Sequence, residues 1–321
     1  MTMGDFSVRG WDTKARYGRA RSTLSVGHAG VDALFRTLRE DNPSGRTVTS
    51  VVPQACGSVL GIDVGCSPTR RSSAVCRLDW TETTYSWTIE RFRASDPERS
   101  DAIRKMAAGQ SIACAAFDGP LRSDLNEIGV YRIAELMLTR QLRPFIGKPG
   151  QSSSPVGKLL NHHANECAKA VLALDVVAEA RHPQRLVARA IVEAFPSSFL
   201  GLLIEDPASL NARRGDRSDT FYSHLASSGG LDRLAGHLLP GRAPAEPFVK
   251  VSNHDDRAAL ICALTALSIA ANDYTAVGDA NGWIVLPPRD LIASWAWPLL
   301  IANAQHPCHL YRSDNPQRTG S

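Results

Sequence analysis

The run Leu60-Gly61-Ile62-Asp63-Val64-Gly65-Cys66 is apolar, carries one acid and breaks at glycine. A few residues later Ser73-Ala74-Val75-Cys76-Arg77-Leu78-Asp79-Trp80 follows an alternating pattern. Short apolar and alternating runs bounded by turn residues are strand signals. The pair therefore reads as a β-hairpin whose first strand buries a carboxylate near its middle. An ionised carboxylate is unfavourable inside a protein unless a cation or hydrogen-bond donors compensate it. Asp63 is thus paired, bonded to the Gly65 turn, or part of a site.

The elements that follow extend this hairpin. Tyr85 to Ala94 alternates as a third strand, and Asp96-Pro97-Glu98-Arg99 opens a helix, with Asp96 as N-cap, running to about Ala108. Ile112-Ala113-Cys114-Ala115-Ala116-Phe117 is a buried strand closed by Asp118-Gly119-Pro120. A three-stranded meander, a crossover helix and a parallel strand form the first half of an RNase H-like (ribonuclease H/actin-like) mixed sheet. Helices are expected at about 124–142 and 163–181, flanking a flexible loop from Gly147 to Lys158. A strand from Leu186 to Val192 ends at Glu193, and polar helices at about 216–227 and 230–238 follow. Asp255-Asp256 opens a long apolar helix from Ala258 to about Ala271, followed by a short strand at Gly282–Pro288 and a closing helix from Asp290 to about Ala304. The expected fold is α/β, an RNase H-like mixed sheet with flanking helices and helical insertions. It occupies residues 58–305, between a weakly ordered extension (1–57) and a flexible tail (306–321).

Composition narrows the function classes. Of 321 residues, 43% are hydrophobic, enough for a sizeable core. The first 57 are instead rich in Arg, Gly, Ser and Thr, as mobile extensions are, although a basic arm touching nucleic acid has the same composition. A net charge of +4 permits a phosphate-bearing partner without requiring one. Seven scattered cysteines with no CxxC fit a reduced cytoplasmic protein rather than a disulfide framework. No apolar run approaches the ~20 residues of a membrane span, and the N-terminus lacks a signal-peptide core. Walker A, GxGxxG and GxSxG sequences are missing, which argues against P-loop, dinucleotide-binding and α/β-hydrolase chemistry. His306-Pro307-Cys308-His309 has ligand-type residues but no second pair to complete a zinc site.

Four acids fall at equivalent places: Asp63 on the first strand, Asp118 and Glu193 at strand ends, and Asp255 or Asp256 at the start of the long helix. In open α/β sheets ligands gather beyond the carboxyl ends of the strands. Clustered carboxylates repel unless a cation is present, and hard oxygen ligands suit Mg²⁺ or Mn²⁺. Each acid also has a purely structural reading. Asp63 can accept from the Gly65 turn, Asp118 is a turn residue before Gly-Pro, and Glu193 can pair with an arginine. Asp255 and Asp256 can complement the helix dipole behind an Asn253 N-cap. The helix acids are 100° apart, so both do not point into one site; the choice falls on Asp256, with Asp255 the alternative. Lys148 and Lys158 in the flexible loop and Arg217 in the basic run Arg213–Asp219 are candidate phosphate contacts.

The ordered set Gly61-Ile62-Asp63, Ala116-Phe117-Asp118-Gly119-Pro120-Leu121, Val192-Glu193-Ala194-Phe195-Pro196, Asp255–Ala266 and Gly282-Trp283-Ile284-Val285-Leu286-Pro287 resembles the domain of unknown function 429. That family comprises bacterial and archaeal proteins described as predicted nucleases with an RNase H fold. The resemblance spans about residues 58 to 305 and implies a site at Asp63, Asp118, Glu193 and the helix acid. The function expected is metal-dependent hydrolysis of phosphodiester bonds in DNA or RNA, with two metal ions on the acids. Two other readings are open. Gly61-Ile62-Asp63-Val64-Gly65 is similar to the first phosphate loop of sugar kinase and actin ATPases, and the same fold can serve as a non-catalytic nucleic-acid-binding module.

Overall fold

The computed structural model describes residues 54–147, 149–211 and 217–313. The expected extension therefore lies outside the described residues, apart from 54–57. Nine strands form one mixed sheet: β1 (Gly57–Asp63), β2 (Ser73–Trp80), β3 (Thr84–Phe92), β4 (Ile112–Asp118), β5 (Ile191–Ala194), β6 (Ala243–Pro244), β7 (Thr275–Asp279), β8 (Gly282–Leu286) and β9 (Leu310–Arg312), in the order β6-β3-β2-β1-β4-β5-β8-β7-β9. The β1-β2-β3 meander is antiparallel, β1, β4, β5 and β8 run parallel, and β7 is antiparallel to both β8 and β9. Helix α1 (Asp96–Ala107) is the crossover between β3 and β4. Its N-cap is Ser95 rather than Asp96, which puts Pro97 in the first turn.

β1 is buried along nearly its whole length, because helices cover the sheet on both faces. α1 packs on β2, β3 and α4 (Pro155–Leu172). On the other face α8 (His254–Ala270) lies across β1, β2, β3 and β4, with α5 (Pro196–Gly201), α6 (Arg217–Ser227) and α7 (Gly230–Leu238) packed against it. Its residues from Ala258 to Ser268 are all buried, as expected of a helix that is apolar all round and enclosed by a sheet and other helices. The approach of α8 to β1 requires Gly61: a Cβ there would overlap the backbone of Ala259, Cys262 and Ala263. Gly61→Ala is expected to destabilise the protein by about 2–3 kcal/mol through overpacking, measured as a lowered urea midpoint at unchanged m-value.

Several expected elements are shifted. The helix expected at 124–142 is a 3-10 turn (Ser123–Leu125), an extended segment and the short helix α2 (Ile133–Thr139). Asp124 and Leu125 have φ of 57° and 54°, a left-handed conformation that ends a helix. The helix expected at 163–181 is α4, starting within the supposed flexible loop, because the Ser154 hydroxyl accepts from Gly157 N and Pro155 takes the first position. Leu186–Val192 yields only the four-residue β5, with Glu193 inside it. Asp290–Ala304 is a 3-10 turn followed by α9 (Ala296–Asn303), and α3 (Arg143–Ile146) precedes the Gly147 loop. The supposed flexible tail contributes β9, which pairs with β7, and Ser313, whose N–H donates to Tyr274 O. All seven cysteines are free thiols. No helix among the described residues is long and apolar enough to cross a membrane.

Candidate active site

Sheet register assigns each acid to a face. Arg91, Ala74, Asp63 and Asp118 lie side by side in one row across β3, β2, β1 and β4. Residues in register share a face, and residues two apart along a strand share it too. Asp63 therefore lies on the face of Gly61, which abuts α8. Asp118 is on this face by the same alternation. Both acids are the last residues of their strands, Asp63 closing β1 rather than lying near its middle because pairing stops at Asp63, and both are half-buried, so the row opens at the carboxyl edge of the sheet.

The first turn of α8 brings further acids to this edge. The Asn253 side chain accepts from Asp255 N at 2.9 Å and Asp256 N at 3.2 Å and so caps the helix, as expected. Burial raises the Asp63 carboxyl well above the usual range, and the charges of Asp118, Asp255 and Asp256 raise it further, Asp255 more than Asp256. Asp118 is pushed up to about 7, by burial first and then by Glu193, with His254 opposing. Among the described residues neither the Asp63 nor the Asp118 carboxylate has a hydrogen-bond or ion-pair partner. Of the structural readings open for Asp63, acceptance from the turn is not the one seen: Gly65 N donates to the Ser73 hydroxyl instead, at 3.0 Å.

Of the two helix acids, the expected one, Asp256, is paired. Asp256 points toward β3, where its Oδ1 lies 3.4 Å from Arg91 Nε, and Arg91 opposes the upward shift that burial causes in its carboxyl. The charges of Asp255 and Asp256 both bear on Asp63, and both remain candidates for the helix acid. His254 was not singled out in the sequence. Its Nδ1 lies 3.0 Å from Asp219 Oδ2, and Asp219 also accepts from Arg257 at 3.2 Å.

Glu193 does not join the row. It is in register with Phe117 and, through it, with Ile62, one position out of step with Asp118 and Asp63, which turns its side chain to the opposite face. There both carboxylate oxygens are held by Arg132, from Nη1 at 2.7 Å and Nη2 at 2.8 Å, and Leu121 N donates to the same carboxylate. Arg132 also donates from Nε to Glu135 at 2.8 Å, and Glu135 accepts from Ser152 N. The three charged side chains are almost wholly buried. The arginine pairing left open for Glu193 is the arrangement seen, so its carboxylate stands as a structural anchor. Gly282 belongs to the same assembly, since a Cβ there would overlap Arg132 Nη1 and Leu121 O.

The expected phosphate contacts scatter. Lys148 lies outside the described residues, Lys158 is exposed near the start of α4, and Arg217 donates to the Arg143 carbonyl at 3.1 Å. Among the described residues no three His, Cys, Asp or Glu side chains are grouped to hold a metal ion. The donor set at the edge is therefore two in-register carboxylates, Asp63 and Asp118. That fits Mg²⁺, which is commonly bound through one or two carboxylates and completes its shell with water and substrate phosphate.

Comparison with protein-family models, with curated proteins and with solved structures gives no match to this chain.

Proposed function

We propose that this protein is a metal-dependent phosphodiesterase acting on nucleic acid, built on an RNase H-like domain akin to domain of unknown function 429. The strand order β3-β2-β1-β4-β5, antiparallel over the first three strands and parallel over β1, β4 and β5, supports the fold assignment. The observation that carries the function is the Asp63–Asp118 pair: two carboxyl groups raised by burial and by neighbouring acids, side by side at the carboxyl edge of a mixed sheet. Repulsion of that kind is relieved by a cation. Asp63 and Asp118 would hold Mg²⁺ or Mn²⁺, with Asp255 or Asp256 on the facing helix as a further acid. Such an ion stabilises charge on a phosphoryl oxygen and lowers the pKa of bound water. Arg91 pairs with Asp256, and Asp219 orients the His254 ring through Nδ1. The four buried thiols, Cys76, Cys114, Cys167 and Cys262, are free, which supports a reducing, cytoplasmic setting.

The test is cleavage of labelled single-stranded DNA, RNA and DNA–RNA hybrid in Mg²⁺ or Mn²⁺. Cleavage abolished by chelator is expected, and no metal-dependent cleavage of any of the three would overturn the proposal. The Arg132–Glu193 and Arg91–Asp256 pairs favour a second reading, a binding module that has lost its chemistry. Nucleic-acid binding that is insensitive to Mg²⁺, without cleavage, is the result that would select it.

A further inference from the structure

We infer that the basic rim formed by Arg70, Arg71 and Arg91 beside the acidic row binds the phosphodiester backbone of a nucleic-acid strand; this names the substrate path of the site proposed above and rests on that reading. An open cleft lined by Arg71, Ile89, Glu90, Arg91 and Asp256 adjoins the row that holds Asp63. Arg71 and Arg91 are 60% and 46% exposed, and Arg70 is exposed beside them.

Their charge is only partly cancelled. Arg71 is 3.9 Å from Glu98, a carboxylate already held by the side chain and backbone N–H of Arg93. Glu90 is occupied by Lys105 at 2.6 Å. Arg91 is 3.4 Å from Asp256, whose Oδ1 makes no hydrogen bond. The guanidinium groups thus retain donors for an incoming anion.

The loop that presents Arg70 and Arg71 is tied to the segment that follows β3, and Arg91 is part of β3 itself. Ala94 N donates to Ser67 O at 2.9 Å, Arg93 Nε to Thr69 O at 3.1 Å, Arg70 N to the Ser67 hydroxyl at 3.0 Å and Ser72 N to Arg70 O at 2.9 Å. A held loop spends less entropy on binding than a free one. Arg91 stands two strands from Asp63, about 10 Å along the row. That separation, in an open cleft, suits a polymer presenting several phosphates along the path to the acidic edge rather than one small phosphate. Guanidinium forks match phosphate oxygens in geometry as well as charge.

The experiment is fluorescence anisotropy with labelled oligothymidylate and oligouridylate in EDTA, where metal-dependent cleavage cannot occur, over a series of salt concentrations. The Arg70→Ala/Arg71→Ala double variant is expected to bind about tenfold more weakly, with the slope of log K against log salt reduced by roughly 1.5, the signature of two lost phosphate contacts on a single strand. Arg104→Ala, on α1 and paired with Asp101, is the control and is expected to match wild type. The Arg70→Lys/Arg71→Lys variant is expected to keep the wild-type salt slope. Wild-type protein that binds neither probe, or a double variant with unchanged affinity and slope, overturns the inference. Lost binding in the double variant together with no Mg²⁺-dependent cleavage by wild type keeps the rim and removes the hydrolase; cleavage with unaltered binding does the reverse.

Discussion

Replacing Arg132 with methionine is expected to destabilise the protein by about 3–5 kcal/mol, the usual result of stripping the partner from a buried ion pair. Arg132 is a single cation between two buried carboxylates, Glu193 and Glu135. Its Nη1 also donates to Leu121 O, while Leu121 N donates to Glu193. The substitution therefore leaves two acids without a cation and one backbone carbonyl without that donor, deep in the fold. The buried Asn161 side chain donates to Pro120 O, so the Gly119-Pro120-Leu121 turn that follows Asp118 is pinned from three elements. Loosening it is expected to impair the site as well as the fold. Urea denaturation followed by circular dichroism measures the first effect. Adding Glu193→Gln to Arg132→Met is expected to recover part of the loss, because one stranded charge disappears. A single variant as stable as wild type would show that the network does not anchor the sheet.

The second large effect is expected from Asp63→Asn, and it has opposite signs for activity and stability. Metal-dependent cleavage is expected to fall by at least about 10³-fold, since losing a charged ligand forfeits roughly 4 kcal/mol of transition-state stabilisation. Stability is expected to rise. The folded protein holds Asp63 and Asp118 well above their ordinary carboxyl range, Asp118 at about 7, so it retains protons that the unfolded chain has released. Between about pH 4 and pH 7 the native state then binds more protons than the unfolded state, and stability falls as pH rises. The penalty is absent below the unfolded value and complete above the folded one. Asparagine removes it, so without divalent cations the variant is expected to exceed wild type by about 1–3 kcal/mol at pH 8, discounted because the carboxylates are half-buried and screened. The two should converge near pH 4. Millimolar Mg²⁺ is expected to close the gap at pH 8 by stabilising wild type alone. Urea titrations at both pH values, with and without Mg²⁺, check each arm; a wild type that gains stability from pH 4 to pH 8 in EDTA contradicts the repulsion.

Much of the sheet was legible in the sequence because its central strands are long and strongly patterned. β2 to β4 and α1 stand within a residue or two of where the alternation of Ser73–Trp80 and Tyr85–Ala94, the apolar run at Ile112–Phe117 and the Pro97 helix start put them, while β1 begins and ends three residues before the run Leu60–Cys66. The misplaced elements have local causes that hydropathy does not register. Left-handed residues at Asp124 and Leu125 broke an expected helix, and the Ser154-Pro155 cap began another inside an apparent loop. β9 went unread because it is short and takes its partner, β7, from far along the chain; β7, which pairs with the adjacent β8, also went unread.

The sequence by itself determined that Asp63 lies on a buried strand, that Asp118 ends one, and that Asn253 stands where it can cap the helix carrying Asp255 and Asp256. Those facts follow from patterning within a few residues. Only the tertiary structure decided which acids meet. Register places Asp63 and Asp118 in one row and turns Glu193 to the other face, because a one-residue offset in a period-two element reverses the side chain. It also brings Arg132 to Glu193 across 61 residues of chain and Arg91 to the side of Asp256. A carboxylate's partner is set by three-dimensional neighbours, so four similar acids in the sequence become two open carboxylates at a sheet edge, an acid on the facing helix and a buried structural anchor.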